Sequence, residues 1–259
     1  MLKKTIGENR FTYPKSLYSV ADTLRFVVSA KKDALVVDFF AGSGTTLHAV
    51  NLLNAEDGGH RQCILVTNNE VADAEAKEMM QRGFKPGDEE WEKRGIAHYV
   101  TWPRTVCSIE GHDVNGKPLK GKYLGSDRPM ADGFKANAVF FKLGFLDKTR
   151  VSLGRNFKQM LPTLWMKAGA FGSCPIVEES VPAMLILPEN RMAILIDENY
   201  FKEFADQISQ NPEIKVAFIA TEHEAGFISM SAAIPSITTY QLYRDYLDNF
   251  RFISRRYTK

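Results

Sequence analysis

The stretch Val36-Val37-Asp38-Phe39-Phe40-Ala41-Gly42-Ser43-Gly44-Thr45-Thr46 constrains this chain more than any other. Apolar and aromatic residues around Asp38 predict a buried strand. Ala41-Gly42-Ser43-Gly44 predicts a turn that brings backbone close to something else. From Thr45 onward, Thr46, Leu47, Ala49, Val50, Leu52 and Leu53 have helical spacing. Strand, glycine turn and helix make the opening unit of a nucleotide-type α/β site. The glycines permit positive φ and close backbone approach, and in such folds the ligand lies outside the carboxyl end of the strand. The spelling excludes two commoner turns. Position 47 is Leu, so Gly-x-Gly-x-x-Gly is not completed, and no Gly-Lys-Ser/Thr follows to make a phosphate loop.

The rest of the chain sets boundaries. Its 259 residues suffice for one large or two small domains. A net charge of +2 neither implies nor excludes nucleic acid, because a local basic stripe can do that electrostatic work. The three cysteines, Cys63, Cys107 and Cys174, lie far apart and make no metal-ligand spacing. They read as buried thiols of a protein in a reducing cytoplasm. Met1-Leu2-Lys3-Lys4 leads into polar residues, unlike a signal peptide, and no apolar run approaches membrane-spanning length.

Periodicity and turn residues predict the elements. Residues 1–13 read as a loop or extended lead-in, and a helix starts near Pro14 and runs to Val28. A strand over 34–40 and a helix from Thr45 to about Asn54 follow. A second buried strand, Cys63 to Thr67, carries Asn68-Asn69-Glu70 at its carboxyl end. A helix over 71–82 precedes one from Glu89 to about Ile109, broken or kinked at Pro103. Near residue 110 turn formers crowd together, and Lys117 to Leu124 reads as a hairpin arm. Ala138 to Leu143 reads as a strand, and Phe157 to Ala168 as helical. Then comes a βαβ-like unit: strand 192–196, helix 200–208, strand 216–220. A helix over 222–233 and a strand over 239–242 close the pattern.

Asp38-Phe39-Phe40-Ala41-Gly42-Ser43-Gly44-Thr45-Thr46 resembles motif I of the amino-group DNA methyltransferases, which bind S-adenosylmethionine. The resemblance implies roles for these positions. Asp38 meets the cofactor's amino group directly or through water, or else caps the following helix. Phe39 and Phe40 cover the adenine or the sulfonium side, one of them doubling as core. Ala41, Gly42, Ser43 and Gly44 bring backbone amides to the ligand. Thr45 and Thr46 offer hydroxyls and free N–H groups to a carboxylate, or simply cap the helix. Glu70, at the end of the second strand, stands where an acidic residue takes ribose hydroxyls, with Asn68 and Asn69 as substitutes. Phe11-Thr12-Tyr13-Pro14-Lys15-Ser16-Leu17 resembles motif X of the same enzymes, with Ser16 in place of a second proline. Lys15 would there pair with the cofactor carboxylate.

Gly95 to Thr105, Asp132-Gly133-Phe134, Phe141-Lys142-Leu143, Leu164 to Gly169 and Leu242 to Tyr246 extend the likeness. Together they resemble the C-terminal part of β-class adenine-specific DNA methyltransferases, such as modification subunits of type III restriction-modification systems. This implies an α/β protein in two parts. Residues 1–109 would form a partial Rossmann-like S-adenosylmethionine-dependent methyltransferase fold, and residues 110–259 a second, accessory α/β region.

The catalytic motif of that family, Asp/Asn/Ser-Pro-Pro-aromatic, is absent: none of the eleven prolines has a proline neighbour. In the β class that motif precedes motifs X and I. The chain therefore reads as the C-terminal part or subunit of a site-specific DNA adenine-N6 methyltransferase. Its expected partners are DNA, through the complete enzyme, and a missing N-terminal catalytic half or subunit. A restriction subunit and a second copy of the chain are further candidates. No catalytic residue and no metal ligand is assigned. The alternatives are a non-catalytic cofactor- or partner-binding module, an N4-cytosine methyltransferase fragment, and an S-adenosylmethionine-dependent enzyme acting on something other than DNA. Arg94, Arg104, Lys117, Lys120 and Lys122, interleaved with Tyr99, Trp102 and Tyr123, form a candidate phosphate-contacting and base-stacking stretch. A basic tail, Arg251, Arg255, Arg256 and Lys259, follows at the end.

Overall fold

A computed structural model describes residues 1–7, 11–144, 157–177 and 182–242. It divides the chain into two units, Met1–Lys142 and Leu143–Lys259. Both mix helices with sheet.

In the first unit, α1 (Leu2–Ile6) and α2 (Leu17–Val28) precede β1 (Leu35–Asp38), α3 (Thr45–Asp57) and β2 (Gln62–Leu65). Ser16 caps α2 by accepting from the Ser19 N–H, so the helix begins at Leu17, three residues after Pro14. β1 and β2 run parallel, with Val36 beside Cys63 and Val37 beside Ile64. Alternation puts Val36, Asp38, Cys63 and Leu65 on the more buried face. Leu35, Val37, Phe39, Ile64 and Val66 are exposed. Among the described residues this sheet has two strands.

Beyond β2 come α4 (Asp73–Gln81), α5 (Glu89–Glu92), a π-helical turn (Ala97–Thr101) and α6 (Trp102–Glu110). The helix expected over 89–109, broken or kinked at Pro103, is thus in three pieces. Pro103 has no N–H to continue an α ladder and its ring crowds the preceding turn. That turn widens, and the Trp102 N–H reaches back to the Ala97 carbonyl.

The chain parts after Lys142 rather than after residue 109, because the turn-rich stretch beyond α6 packs onto the first unit. Leu119, Tyr123, Met130 and Phe134 form one buried cluster with Leu17 and Ala21 of α2 and Ala49 and Leu52 of α3. The expected hairpin arm at 117–124 is reduced to isolated bridges, His112 with Pro118 and Lys122 with Pro129. Residues 138–143 are irregular rather than a strand. Val139, Phe141 and Leu143 are exposed, and among the described residues no strand pairs with this stretch. The lead-in, expected to be a loop or extended, contains α1, whose Leu2 and Ile6 pack with Val100.

The second unit is a four-stranded sheet in sequential order: β3 (Met184–Leu187), β4 (Met192–Leu195), β5 (Val216–Ile219) and β6 (Thr238–Gln241). β3 runs antiparallel to β4, and the others are parallel. One face (Met192, Ile194, Phe218) packs on α7 (Phe157–Lys167). The other (Ala193, Leu195, Ala217, Ile219) packs on α8 (Phe201–Gln210) and α9 (Glu224–Ala233). Coverage on both faces is what a parallel sheet needs, and β4 is buried throughout. The expected βαβ unit, the helix near 222–233 and the last strand are all present, and β3 was not foreseen. Tyr243 to Tyr246 and the basic tail lie outside the described residues.

Candidate functional site

The parallel pairing continues past the named strands and delivers the glycine turn. The Val66 N–H donates to the Asp38 carbonyl (2.8 Å), and the Ala41 N–H donates to the Val66 carbonyl (3.1 Å). The chain then reverses through Gly42 (φ +50°) and Gly44 (φ +72°), both left-handed. Gly44 is the N-cap of α3. A Cβ on Gly42 would stand 3.0 Å from the Phe11 ring, and one on Gly44 would stand 3.2 Å from the Thr101 methyl. Both positions therefore combine a positive φ with close packing, and side chains suit neither.

Asp38 holds the turn closed. Its carboxylate accepts from the Phe40 N–H (3.0 Å) and from the Thr46 hydroxyl. Phe39 and Phe40 are both exposed, so neither serves as core. Ala41, Ser43 and Thr45 are buried. The Ser43 and Thr45 hydroxyls lie 3.1 Å apart and turn inward onto the Arg104 guanidinium, with Nη1 3.0 and 2.6 Å from the two oxygens. Thr101 donates its hydroxyl to the Gly42 carbonyl, which pins the π-helical turn against the glycine turn.

Beside the turn lies a cavity of about 350 Å³. Phe11, Tyr13 and Tyr99 supply aromatic walls, and Glu70 and Arg94 supply charge. Phe11 separates this cavity from Gly42. The structure thus brings together the segment around Phe11, the end of β2 and the glycine turn, which are far apart in sequence. Among the residues after β2, Asn69 is fully engaged. Its amide donates to the Glu92 carbonyl and carboxylate (2.8 and 2.9 Å) and accepts from the Ala97 N–H (3.1 Å). Glu70 is exposed and lines the cavity, with the Asn68 amide 3.3 Å from its carboxylate. Lys15 is exposed in the residues just before α2 and is not among the lining residues.

No protein-family model matches the chain. Parts of it are similar to proteins of known kind. One stretch is 46% identical over 68 residues to the type II methyltransferase M.KpnI of Klebsiella pneumoniae, covering 26% of this chain and 16% of that protein. Another comparison gives 44% over 70 residues with the Mod subunit of the type III restriction-modification enzyme EcoPI of Escherichia phage P1, covering 27% and 10%. The Mod subunit of StyLTI from Salmonella typhimurium is 46% identical over 72 residues, covering 26% and 11%. The chain is related to the methyltransferases of restriction-modification systems. The matched stretches span between about a tenth and a sixth of the length of these curated relatives.

In this methyltransferase relative the basic stretch does not form one surface. Arg104 and Tyr123 are buried at 1% and 2% exposure, which removes them from any nucleic-acid face. Arg94 pairs with Glu75 (3.1 Å) and Lys122 with Asp127 (2.8 Å). Lys117 and Lys120 are exposed. Arg104 and Thr101 escaped sequence reasoning as parts of the site, and Asn69, a candidate substitute for Glu70, is instead committed to Glu92 and Ala97. Pro103 was the one signal near them, since a proline that interrupts a helix beside small polar residues marks a specialised turn.

All three cysteines are free thiols. Burial pushes Cys63 up to about 12 and Cys107 up to about 11, which keeps both protonated and inert. Among the described residues no group of side chains is arranged to hold a metal ion, and no helix is long and apolar enough to cross a membrane.

Proposed function

We propose that the first unit binds S-adenosylmethionine as part of a Rossmann-like fold, and that the chain serves DNA adenine-N6 methylation in a restriction-modification system. The observation that carries this reading is the pair of left-handed glycines at the carboxyl end of β1, packed beside an aromatic cavity that the Glu70 carboxylate lines. The fit to the cofactor is chemical. Aromatic walls accept an adenine ring, and a cavity of about 350 Å³ matches a small-ligand site. Glu70 can accept from ribose hydroxyls. The N–H groups that open α3 can receive a carboxylate. S-adenosylmethionine would supply the methyl group. The chain's own residues bind and orient it: Asp38 and Thr101 fix the turn, and Asn69 fixes the cavity wall.

The exposed sheet face supports a further element of this reading, a polypeptide partner. Parallel sheets normally bury both faces. Here Leu35, Val37 and Ile64 are 56%, 43% and 46% exposed. A catalytic half carrying Asp-Pro-Pro-aromatic, from a longer polypeptide or a separate subunit, would continue the sheet and cover that face. The second unit then serves assembly, or contact with DNA or a restriction subunit. The absence of adjacent prolines in this chain favours a second reading, a module that binds cofactor or partner without turnover.

Titration calorimetry with S-adenosylmethionine tests the proposal. The chain should bind it weakly, because part of the pocket would come from elsewhere. Asp38→Ala and Gly42→Leu should abolish binding. A parent that does not bind, or variants that bind like the parent, would refute the cofactor reading.

A further inference from the structure

We propose that Arg104 is a positioning residue that shapes the 41–45 turn for an anionic ligand group, the carboxylate of the cofactor's amino-acid portion. The inference rests on the cofactor reading above and adds a specific recognition role to it.

Arg104 lies on α6 with 1% of its surface exposed. Its Nη1 reaches the Ser43 carbonyl (3.1 Å) and the Ser43 and Thr45 hydroxyls (3.0 and 2.6 Å). Every one of these partners is neutral, and Nε has none. Among the described residues no carboxylate pairs with the guanidinium. A buried charge is normally paired with an opposite one. Burial lowers the affinity of Arg104 for its proton only to about 10, so it is charged at neutral pH. Arg104 helps to push both the His48 imidazole and the Met1 amine toward their neutral forms.

The positive group therefore stands directly behind the turn, unneutralised by any carboxylate of the described residues. The opening N–H groups of the thirteen-residue α3 add potential of the same sign from the helix itself. Because Ser43 and Thr45 face Arg104, the turn keeps its backbone, not these hydroxyls, for the ligand side. A turn held this way favours an anion at the start of α3. In S-adenosylmethionine the only anionic group is the amino-acid carboxylate, so that end of the cofactor belongs there, and the adenosine end belongs toward Glu70.

Two ligands separate this role from general upkeep of the fold: S-adenosylhomocysteine, which carries the carboxylate, and 5′-methylthioadenosine, which lacks the amino-acid portion. Calorimetry on the full chain would compare the parent with Arg104→Gln and Arg104→Lys. Arg104→Gln should weaken S-adenosylhomocysteine by roughly tenfold, the scale of one charge-assisted contact, and 5′-methylthioadenosine by less than about twofold. Arg104→Lys should recover part of the preference. If circular dichroism shows Arg104→Gln to be unfolded, the Ser43→Ala/Thr45→Val double variant decides. It keeps the charge but frees the turn, and should lose the same preference by at least about threefold. Equal weakening of both ligands, or an unchanged ratio, overturns the inference while leaving cofactor binding in place. A parent that binds neither ligand overturns the cofactor reading, and the inference with it.

Discussion

His48 should make the first unit acid-sensitive in a way that one substitution removes. It sits in α3 at 1% exposure, between the rings of Tyr123 and Phe134. Its Nε2 is 3.0 Å from the Tyr123 hydroxyl, and its Nδ1 has no partner. Burial first, then Arg104 and the chain's amino terminus, push it down to about 3. An unfolded chain restores a histidine of about 6.5. Between those values the unfolded state holds a proton that the folded state refuses. Stability is therefore complete above about pH 6.5 and is lost as pH falls toward 3. The slope is about 1.4 kcal/mol per pH unit, so acidification from pH 7 to 5 removes about 2 kcal/mol through this group alone. Native-state hydrogen exchange of the α3 amides at the two pH values, after correction for intrinsic rates, reads the difference in the unit itself. His48→Gln retains a polar side chain but cannot titrate. Its loss between pH 7 and 5 should be smaller than the parent's by about 2 kcal/mol, since contributions from other groups cancel in the comparison. Identical losses would mean that the folded unit accepts the proton, and that the buried site is not as dry or as positive as the structure implies.

Arg61→Ala should destabilise the same unit by about 3 kcal/mol. Its guanidinium, with 1% of the side chain exposed, donates to the Val28 and Ser29 carbonyls and to Asp57, tying the end of α2 to the end of α3. A urea-unfolding change below about 1 kcal/mol would show that water replaces these contacts. The chain should also self-associate in isolation through the exposed face of β1 and β2, and Val37→Lys should restore a monomer. Sedimentation velocity over a range of concentrations checks this, and a monomeric parent would show that the face is soluble as it stands.

Much of this was legible from the sequence because the relevant physics is local. Strand, glycine turn and helix over 35–57 follow from apolar runs, two glycines and helical spacing, which neighbours only reinforce. The βαβ pattern of the second unit follows for the same reason: its strands are continuous apolar runs and α8 has one apolar face. Failures cluster where the outcome depended on packing. Val139 to Leu143 has the composition of a strand, but among the described residues no strand pairs with it. Leu119 and Tyr123 read as a hairpin arm, yet their side chains cover α2 and α3, and this moves the division between units to residue 142.

By itself the sequence determined the turn, its glycines and the order of elements along the chain, since backbone sterics and periodicity act over a few residues. It also carried the likeness to restriction-modification methyltransferases, which lies in strings of adjacent residues. Only the tertiary structure decided which side chains meet. It brought Phe11 against Gly42, committed Asn69 to the wall while leaving Glu70 at the cavity, and turned Arg104 from a supposed surface cation into a buried one behind Ser43 and Thr45. These are contacts across some 30 to 60 positions of sequence. No local propensity encodes them, because the free energy that selects them comes from burying several elements at once.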